Sequence, residues 1–367
     1  MGAVINAEAP PGEPEGSIPR TRSSLLPSSG FLRFVGRRLA ALVLLSIGIT
    51  FVVFLLVQAV PADPVAAGLG EQAAGDPAAV ASFKAHYGLD KPLPARYAIY
   101  LGHLLTGDLG ESTQTHQQVR DDLATYIPAT AELAFYSIIV AIVVGVVFGV
   151  IAAMRRNHPI DHTLRVVSLG GISMPTFWIA LLALYIFFFR LGWFPGGGRL
   201  GIGVEPPPNV TGFYTVDALL AGQWSTFTDA LDHIVLPALV LAAFNISLLT
   251  RYTRSSMLEV VGNDYVRAAR AKGLPEFVVV TRYVLRAALP AVVTVIGLLF
   301  ANILTGAVLV ENIFSWPGVG QYAYTSAINL DVQAIAGVSL FVAIVYVTIN
   351  FIVDVLYGVI DPRIRLT

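Results

Sequence analysis

The stretch EVVGNDYVRAARAKGLP, Glu259 to Pro275, decides how the rest of this chain is interpreted. It lies between two long apolar runs, yet it carries the charged side chains of Glu259, Asp264, Arg267, Arg270 and Lys272. Charged groups are costly in the hydrocarbon core of a bilayer, so the stretch is predicted to lie outside it. A short helix is predicted within it, because Asn263 can cap the N-terminus and Gly273 can end the helix before Pro275.

This short helix is predicted to have two different faces. At 100° per residue, Tyr265, Val266 and Ala269 share one side. The other side combines charged groups with methyl-sized side chains: Asp264, Arg267, Ala268 and Ala271. Small side chains let a partner's surface come close to the backbone, so we expect this face to be bound by another protein. The alternative is a solvated loop whose charges only fix the topology.

Composition identifies the chain as a membrane protein. Of its 367 residues 55% are apolar and 13% are charged, and the mean hydropathy is +0.70. The chain has no cysteine, which excludes disulfides, thiolate metal sites and a cysteine nucleophile. His158 and His162 are the only close pair of histidines, so neither a metal site nor a catalytic residue is predicted. An intramembrane serine protease is disfavoured because no GxSxG motif faces a histidine within a span.

The apolar runs predict an all-α integral membrane protein with six transmembrane helices. The expected segments are a disordered cytoplasmic tail (1–30), a first span (31–60), an extracytoplasmic insert (61–126), a core (127–360) that includes the loop 259–275, and a cytoplasmic C-terminus (361–367). We expect the second span to open at Pro128, which suits the first turn of a helix, and the fifth to begin at about Pro290. The third is expected to run from His162 to Phe189 with a kink at Pro175, and residues 191–229 are predicted to form an outer loop.

The distribution of basic residues supports this arrangement. Six spans with both termini inside place 17 lysines and arginines on the cytoplasmic side and six outside. The insert 61–126, expected outside, has eight acidic and four basic residues. Both asymmetries have the sign that the positive-inside tendency requires.

The spans contain almost no ionisable groups at their centres, although proton- or sodium-coupled carriers usually need carboxylates or unwound ion sites there. No GxxxxGK[ST] phosphate loop is present either, so a pump of this kind needs energy from another polypeptide. The mildly polar side chains inside the spans are the candidates for lining a path: Thr176, Asn245, Asn302 and Thr305. Each of them taken alone is more often an interhelical hydrogen-bonding residue.

The run DYVRAARAKG, followed by Leu289 and Pro290, resembles the EAA loop of ATP-binding cassette importer permeases. Gly273 corresponds to the glycine of that motif, and Ala268 and Ala269 correspond to its small pair. Asp264 stands where many relatives have glutamate. Further motifs across residues 31–367, including SMLEVVGNDYVRAARAKGL, ENIFSWPGVG and VDVLYGVIDPRIR, look like the B-type membrane subunit of dipeptide and oligopeptide importers.

The resemblance implies the type I ABC importer permease fold, in which the loop forms a cytoplasmic coupling helix seated in a groove of the ATPase. The residues expected to couple to the ATPase are Asp264, Tyr265, Arg267, Ala268, Ala269, Lys272 and Gly273. It further implies a homologous second permease, two ATPases that hold ATP and Mg²⁺, and an extracytoplasmic substrate-binding protein. This chain itself is expected to need no cofactor and no nucleic acid, and to reside in the bilayer of a bacterial inner membrane.

The expected activity is half of the translocation pathway for di- or oligopeptides, with no enzyme activity in this chain. The resemblance leaves nickel, glutathione or another small solute as alternative cargo. A channel gated by a soluble partner is a rival from a different class, and it would still conduct after loss of the ATPases.

Overall fold

A computed structural model describes residues 29–59 and 75–360 of the chain. Residues 1–28 of the predicted tail, residue 60 at the end of the predicted first span, residues 61–74 of the predicted insert and the predicted C-terminal segment 361–367 lie outside the described residues. Among the described residues the fold is all-helical, apart from an isolated antiparallel bridge between Glu111 and Gln118. This agrees with the predicted fold class.

From α4 onward the helices follow one another with short connections, except for the loop before α7. Their bounds are α1 Ser29–Ala59, α2 Pro77–Tyr87, α3 Leu93–Thr106, α4 Val119–Met154, α5 Pro159–Ser173, α6 Thr176–Ala183 continued by the π-helix Leu184–Arg190, α7 Tyr214–Leu220, α8 Trp224–Val260, α9 Asp264–Ala271, α10 composed of Glu276–Val278, the π-helix Val279–Leu285 and Arg286–Ile313, α11 Val319–Ile328, and α12 Val332–Ile360.

Helix α8 is the centre of the bundle. Of its most apolar stretch 67% is buried, and it contacts α4, α5, α6, α7 and α10. Helices α4 and α8 run in the same direction and approach closely, because a Cβ at Gly149 would come within 2.5 Å of the Thr253 Cβ. Glycines at such contacts let helix backbones come together where the hydrophobic effect between helices is weak.

Apolar clusters fill the bundle from one end to the other. We call the end at residues 155–158 and 261–275 the inner end, after its predicted side, and the opposite end the outer end. At the inner end Met257, Val266 and Val284 belong to one buried cluster. At the outer end Val119 and Tyr322 belong to another, which joins α4, α11 and α12.

Within the part of the chain that the structure describes, five helices are long and apolar enough to cross a membrane, and a sixth span results if α5 and α6 together count as one. The five stretches are Gly36–Leu55, Val119–Met154, Trp224–Val260, Glu276–Gly297 and Val332–Val353. The chain is therefore a multi-pass membrane protein.

Two of the predicted helix starts are wrong. Helix α4 begins at Val119 and α10 at Glu276, so that Pro128 and Pro290 both lie inside helices. Proline suits a first turn, but membrane helices also tolerate it internally. Helix α4 starts early because Val119 is completely buried against the outer cluster, which stabilises turns that precede the proline.

The third predicted span is broken rather than kinked. Its two halves, α5 and α6, meet at an angle of 110° around Met174 and Pro175. Met174 and Pro175 both have extended backbone conformations, and for Met174 this is the conformation favoured before a proline. The predicted outer loop 191–229 also contains more structure than expected, since α7 and the first turns of α8 lie within it.

Candidate functional site

Helix α9 is attached to the bundle by one narrow face. Val266 is completely buried and Ala269 is 4% exposed, and both belong to the inner cluster with Met257 and Val279. Among the described residues, the ion pair of Arg270 with Glu276, at 2.7 Å, is the side-chain hydrogen bond that links α9 to another helix. The helix is thus held mainly by two apolar side chains.

The opposite face of α9 is open to solvent. Asp264 and Arg267 form an ion pair one turn apart, with side chains 89% and 72% exposed. Ala268, Ala271 and Lys272 are exposed beside them. The two predicted faces are therefore present, with one change: Tyr265 is 44% exposed and lies at the border rather than on the buried side. The small pair is also divided, since Ala268 points outward and Ala269 inward.

The ends of α9 follow the expected signals in part. Asn263 occupies the N-cap position with extended backbone, but its side chain makes no capping hydrogen bond. Its carbonyl accepts instead from the N–H groups of Val266 and Arg267. Gly273 has a φ of +74° and its N–H donates to the Arg270 carbonyl. A Cβ at Gly273 would meet nothing within 4 Å, so the backbone conformation alone demands glycine there.

The four candidates for a membrane path occupy different environments. Thr176 is half-buried at the first residue of α6, directly after the break. Asn302 is exposed on α10, whereas Asn245 is 1% exposed inside the bundle, where its Nδ2 donates to the Leu241 carbonyl at 3.5 Å. The side chain of Thr305 is outside the described set. The three described side chains thus lie in three different environments, and the role of all four residues in a path stays a prediction.

An apolar cavity of about 410 Å³ opens between α4, α10 and α12. Ile127, Phe135, Ile303 and Phe341 are among its lining residues. Such a lining suits a hydrocarbon chain or an apolar helix face. Among residues 29–59 and 75–360, no group of three or more His, Asp or Glu side chains is placed to hold a metal ion.

At the outer end, buried polar side chains link distant segments of the chain, and the sequence did not predict these links. Glu132, 1% exposed, pairs with Arg199 at 2.5 Å and accepts from the N–H and hydroxyl of Thr215 at 2.9 and 2.7 Å. The Arg199 guanidinium also donates to the Gly212 carbonyl and stacks 3.5 Å above the Tyr214 ring. One buried ion pair therefore joins α4 to the loop before α7.

The ENIFSWPGVG motif is held by a second buried carboxylate. Glu311, fully buried, accepts from the Thr130 hydroxyl at 2.6 Å and from the N–H groups of Gly320 and Gln321 at 2.7 and 3.1 Å. The indole of Trp316 donates to the Ala129 carbonyl at 2.9 Å. The motif thus binds the start of α11 to α4.

A third group of outer carboxylates joins the insert to α11 and α12. Asp331 accepts from the Ser112 hydroxyl at 2.6 Å and caps α12 through the Ala334 N–H. Asp122 accepts from the hydroxyls of Thr115 at 2.6 Å and Tyr322 at 2.8 Å. Burial and the bond to Asp122 raise the pKa of the Tyr322 hydroxyl above its ordinary value. The sequence showed only that some of these carboxylates lie next to the ends of spans. Such a position does not identify the residue with which a carboxylate pairs.

Comparison with known proteins identifies the family of the chain. Residues 145–366 match the family described as "Binding-protein-dependent transport system inner membrane component", and residues 31–134 match its N-terminal companion. The chain is 43% identical to the "Di/tripeptide transport system permease protein DppB" of Pseudomonas aeruginosa (strain UCBPP-PA14), over 91% of this chain and 99% of that protein.

Two relatives from Escherichia coli (strain K12) show the same extent of similarity. The "Probable D,D-dipeptide transport system permease protein DdpB" is 41% identical over 91% of this chain and 98% of its own length. The "Dipeptide transport system permease protein DppB" is 39% identical over 91% and 99%. The matches include both the membrane helices and the α9 loop, so the chain belongs to the inner-membrane components of binding-protein-dependent transport systems.

Proposed function

We propose that this chain is one of two permease subunits of an ATP-driven, binding-protein-dependent importer of di- or oligopeptides. The cargo is inferred from the relatives, which are named as dipeptide or di/tripeptide permeases over nearly their whole length. In this proposal α1, α4, the pair α5 and α6, α8, α10 and α12 are the six spans, and both termini are cytoplasmic. The cytoplasmic side is supported by the basic residues of the inner end.

One observation carries the proposed coupling: α9 buries only Val266 and Ala269 and leaves its other face exposed. A short helix that is anchored to a membrane bundle and exposed on one face can be bound by a partner protein and moved as a unit. The coupling surface of this proposal comprises Asp264, Tyr265, Arg267, Ala268, Lys272 and Gly273, with Ala269 as the anchor. ATP and Mg²⁺ would be held by the separate ATPases.

The proposed path uses the mild polarity of the spans. Asn302 is exposed on a membrane helix, where an amide is poorly accommodated by lipid but suits a water-filled path or a second permease subunit. Thr176 lies at the break between α5 and α6, and broken helices in transporters line substrate paths. Asn245 and Thr305 complete the proposed set, Asn245 as a residue that could reach the path after a rearrangement of α8.

The test is uptake by the assembled complex reconstituted in proteoliposomes with a panel of radiolabelled di- to pentapeptides. Ala268→Glu places a charged, bulky side chain on the exposed face of α9, and we expect it to reduce ATP-driven uptake by at least about tenfold, the size typical of a coupling interaction. Ser255→Glu is the matched control, because it adds the same charge at an exposed position of α8. Uptake by this control is expected to stay near that of the wild type.

Two results would contradict the proposal. Unchanged uptake by the Ala268→Glu variant would remove α9 as the coupling surface. Peptide flux that persists at the wild-type rate without the ATPases would favour the partner-gated channel.

A further inference from the structure

A buried ion pair at the inner end connects α5 to α8. Asp161, the third residue of α5, has a completely buried side chain, while that of Arg254 on α8 is 20% exposed. The guanidinium meets the carboxylate with two parallel bonds, Nε to Oδ1 at 2.7 Å and Nη2 to Oδ2 at 3.0 Å. This two-pronged geometry fixes the relative orientation of the two side chains as well as their distance.

The same carboxylate also fixes the turn between α4 and α5. Asp161 accepts from the Asn157 N–H at 3.0 Å, and Asn157 itself has a left-handed backbone with a φ of +66°. The Arg165 Nε lies 3.7 Å from Asp161 on the exposed side. One side chain therefore joins the turn after α4, the start of α5 and the part of α8 near the inner end.

Helix α5 lies between this ion pair and the break in the third span. Its 15 residues extend about 22 Å, with Asp161 in the first turn and with Met174 and Pro175 directly after the last residue. Near the break α5 touches α8 again, since a Cβ at Gly171 would collide with the Ser247 hydroxyl. Arg254 is six residues from Val260, where α8 ends and the α9 loop begins.

We propose that Asp161 and Arg254 are positioning residues that make α5 a lever between the α9 loop and the break at Met174 and Pro175. A force on α9 reaches α8 through their shared apolar cluster, and the ion pair passes the movement to α5. The far end of α5 then changes the angle at the break, next to the Thr176 side chain. This inference rests on the proposed function and specifies how the coupling helix acts inside the membrane.

The decisive variant is Asp161→Asn combined with Arg254→Gln, which removes both charges and leaves no unpaired buried ion. In the reconstituted complex we expect ATP hydrolysis to continue while the number of peptides imported per ATP falls about tenfold. The single variants are expected to lower the ratio no less than the double, because both act through one interaction. Arg251→Gln, which removes an exposed charge one turn earlier on α8, is the matched control and should keep the wild-type ratio.

The Arg254→Lys variant covers a failure of the neutral pair to assemble. It keeps the charge but cannot form both bonds, so an intermediate ratio is expected. A wild-type ratio in either the double or the lysine variant would overturn the proposal, as would a loss of ATP hydrolysis in equal proportion to uptake.

A second readout does not depend on the cargo. Spin labels are attached to Val166→Cys on α5 and Ser255→Cys on α8, both exposed positions. Because the chain has no cysteine of its own, no other residue of it is labelled. We expect one narrow distance between them with and without a bound ATP analogue, and a broadened distribution once the ion pair is neutralised. If the distance stays narrow after the ion pair is neutralised, the lever is contradicted, whether or not any peptide is imported. If no tested peptide is imported by the wild type, the proposed function fails, and the distance measurement still tests the lever.

Discussion

The outer end of the bundle and the α9 helix at the inner end are built in opposite ways. At the outer end, Glu132, Glu311 and Asp331 are buried carboxylates that each accept several hydrogen bonds from other segments of the chain. On α9, the side chains of Asp264 and Arg267 pair in solvent, and the helix is held mainly by two apolar residues. The outer end is therefore a frame completed within this chain, whereas α9 presents a surface that the described residues leave uncovered.

This difference predicts where a substitution will unfold the protein and where it will only affect coupling. Buried carboxylates are costly to leave unpaired, so changes at the outer end should lower the stability of the protein. Exposed ion pairs contribute little to stability, so changes on α9 should leave the fold intact.

The largest loss of stability is expected from Glu132→Ala. It leaves the buried Arg199 guanidinium without its carboxylate, which should cost about 3–5 kcal/mol in the free energy of unfolding. Thermal unfolding of the detergent-solubilised complex measures the loss. The control is Arg120→Gln, which breaks the exposed pair with Asp121 and should cost at most about 1 kcal/mol. Equal losses in the two variants would refute the difference between buried and exposed pairs.

A glycine exchange compares the two ends directly. A Cβ at Gly320 would lie 2.5 Å from the Val308 Cα and 2.8 Å from a Glu311 carboxylate oxygen. Gly320→Ala should therefore destabilise the protein by about 1–3 kcal/mol. At the inner end, a Cβ at Gly262 would meet no atom within 4 Å, so Gly262→Ala should change the free energy of unfolding by less than about 0.5 kcal/mol. If Gly320→Ala unfolds at the wild-type temperature, the packing of Gly320 against Val308 and Glu311 is not tight, and the prediction is wrong.

The acid sensitivity of the outer loop depends on Asp217. Burial opposes ionisation, but hydrogen bonds from the Thr211 hydroxyl and from the N–H groups of Val210, Thr211 and Gly212 outweigh it and hold the pKa of Asp217 below its ordinary value. The depressed pKa stabilises the fold above the unfolded value of about 3.9, and this stabilisation disappears as the pH falls through the folded pKa.

The Asp217→Asn variant tests this pH dependence. At neutral pH we expect it to cost about 1–3 kcal/mol, because it weakens bonds to a charged acceptor. Unfolding temperatures measured between neutral and acidic pH should fall more steeply for the wild type than for the variant. Parallel curves for the two proteins would show that Asp217 does not carry the acid sensitivity.

A small effect on stability is also expected at α9. Arg267→Gln removes a partner of the exposed Asp264 and should change the free energy of unfolding by no more than about 1 kcal/mol. Peptide uptake per ATP is expected to fall in the same variant, because the side chain belongs to the proposed coupling surface. A large loss of stability with normal uptake would reverse the proposed roles of the two ends.

The helical membrane architecture and the two faces of α9 were predictable from the sequence, because apolar run length and 3.6-residue periodicity report directly on burial. The starts of α4 and α10 were not, since Pro128 and Pro290 can either begin a helix or lie inside one, and tertiary contacts decide. The partners of Glu132 and Asp161 lie 67 and 93 residues away along the chain, and no local pattern encodes such pairs.

The most direct test of the account uses a single cysteine in this cysteine-free chain. Ala268→Cys should react with a membrane-impermeant maleimide in inside-out vesicles that lack the ATPases, and should be protected when the ATPases are assembled. Right-side-out vesicles should show no labelling, because α9 is proposed to lie on the cytoplasmic side. Labelling from the outside, or equal labelling with and without the ATPases, would contradict the claim that α9 is the surface a separate ATPase grips.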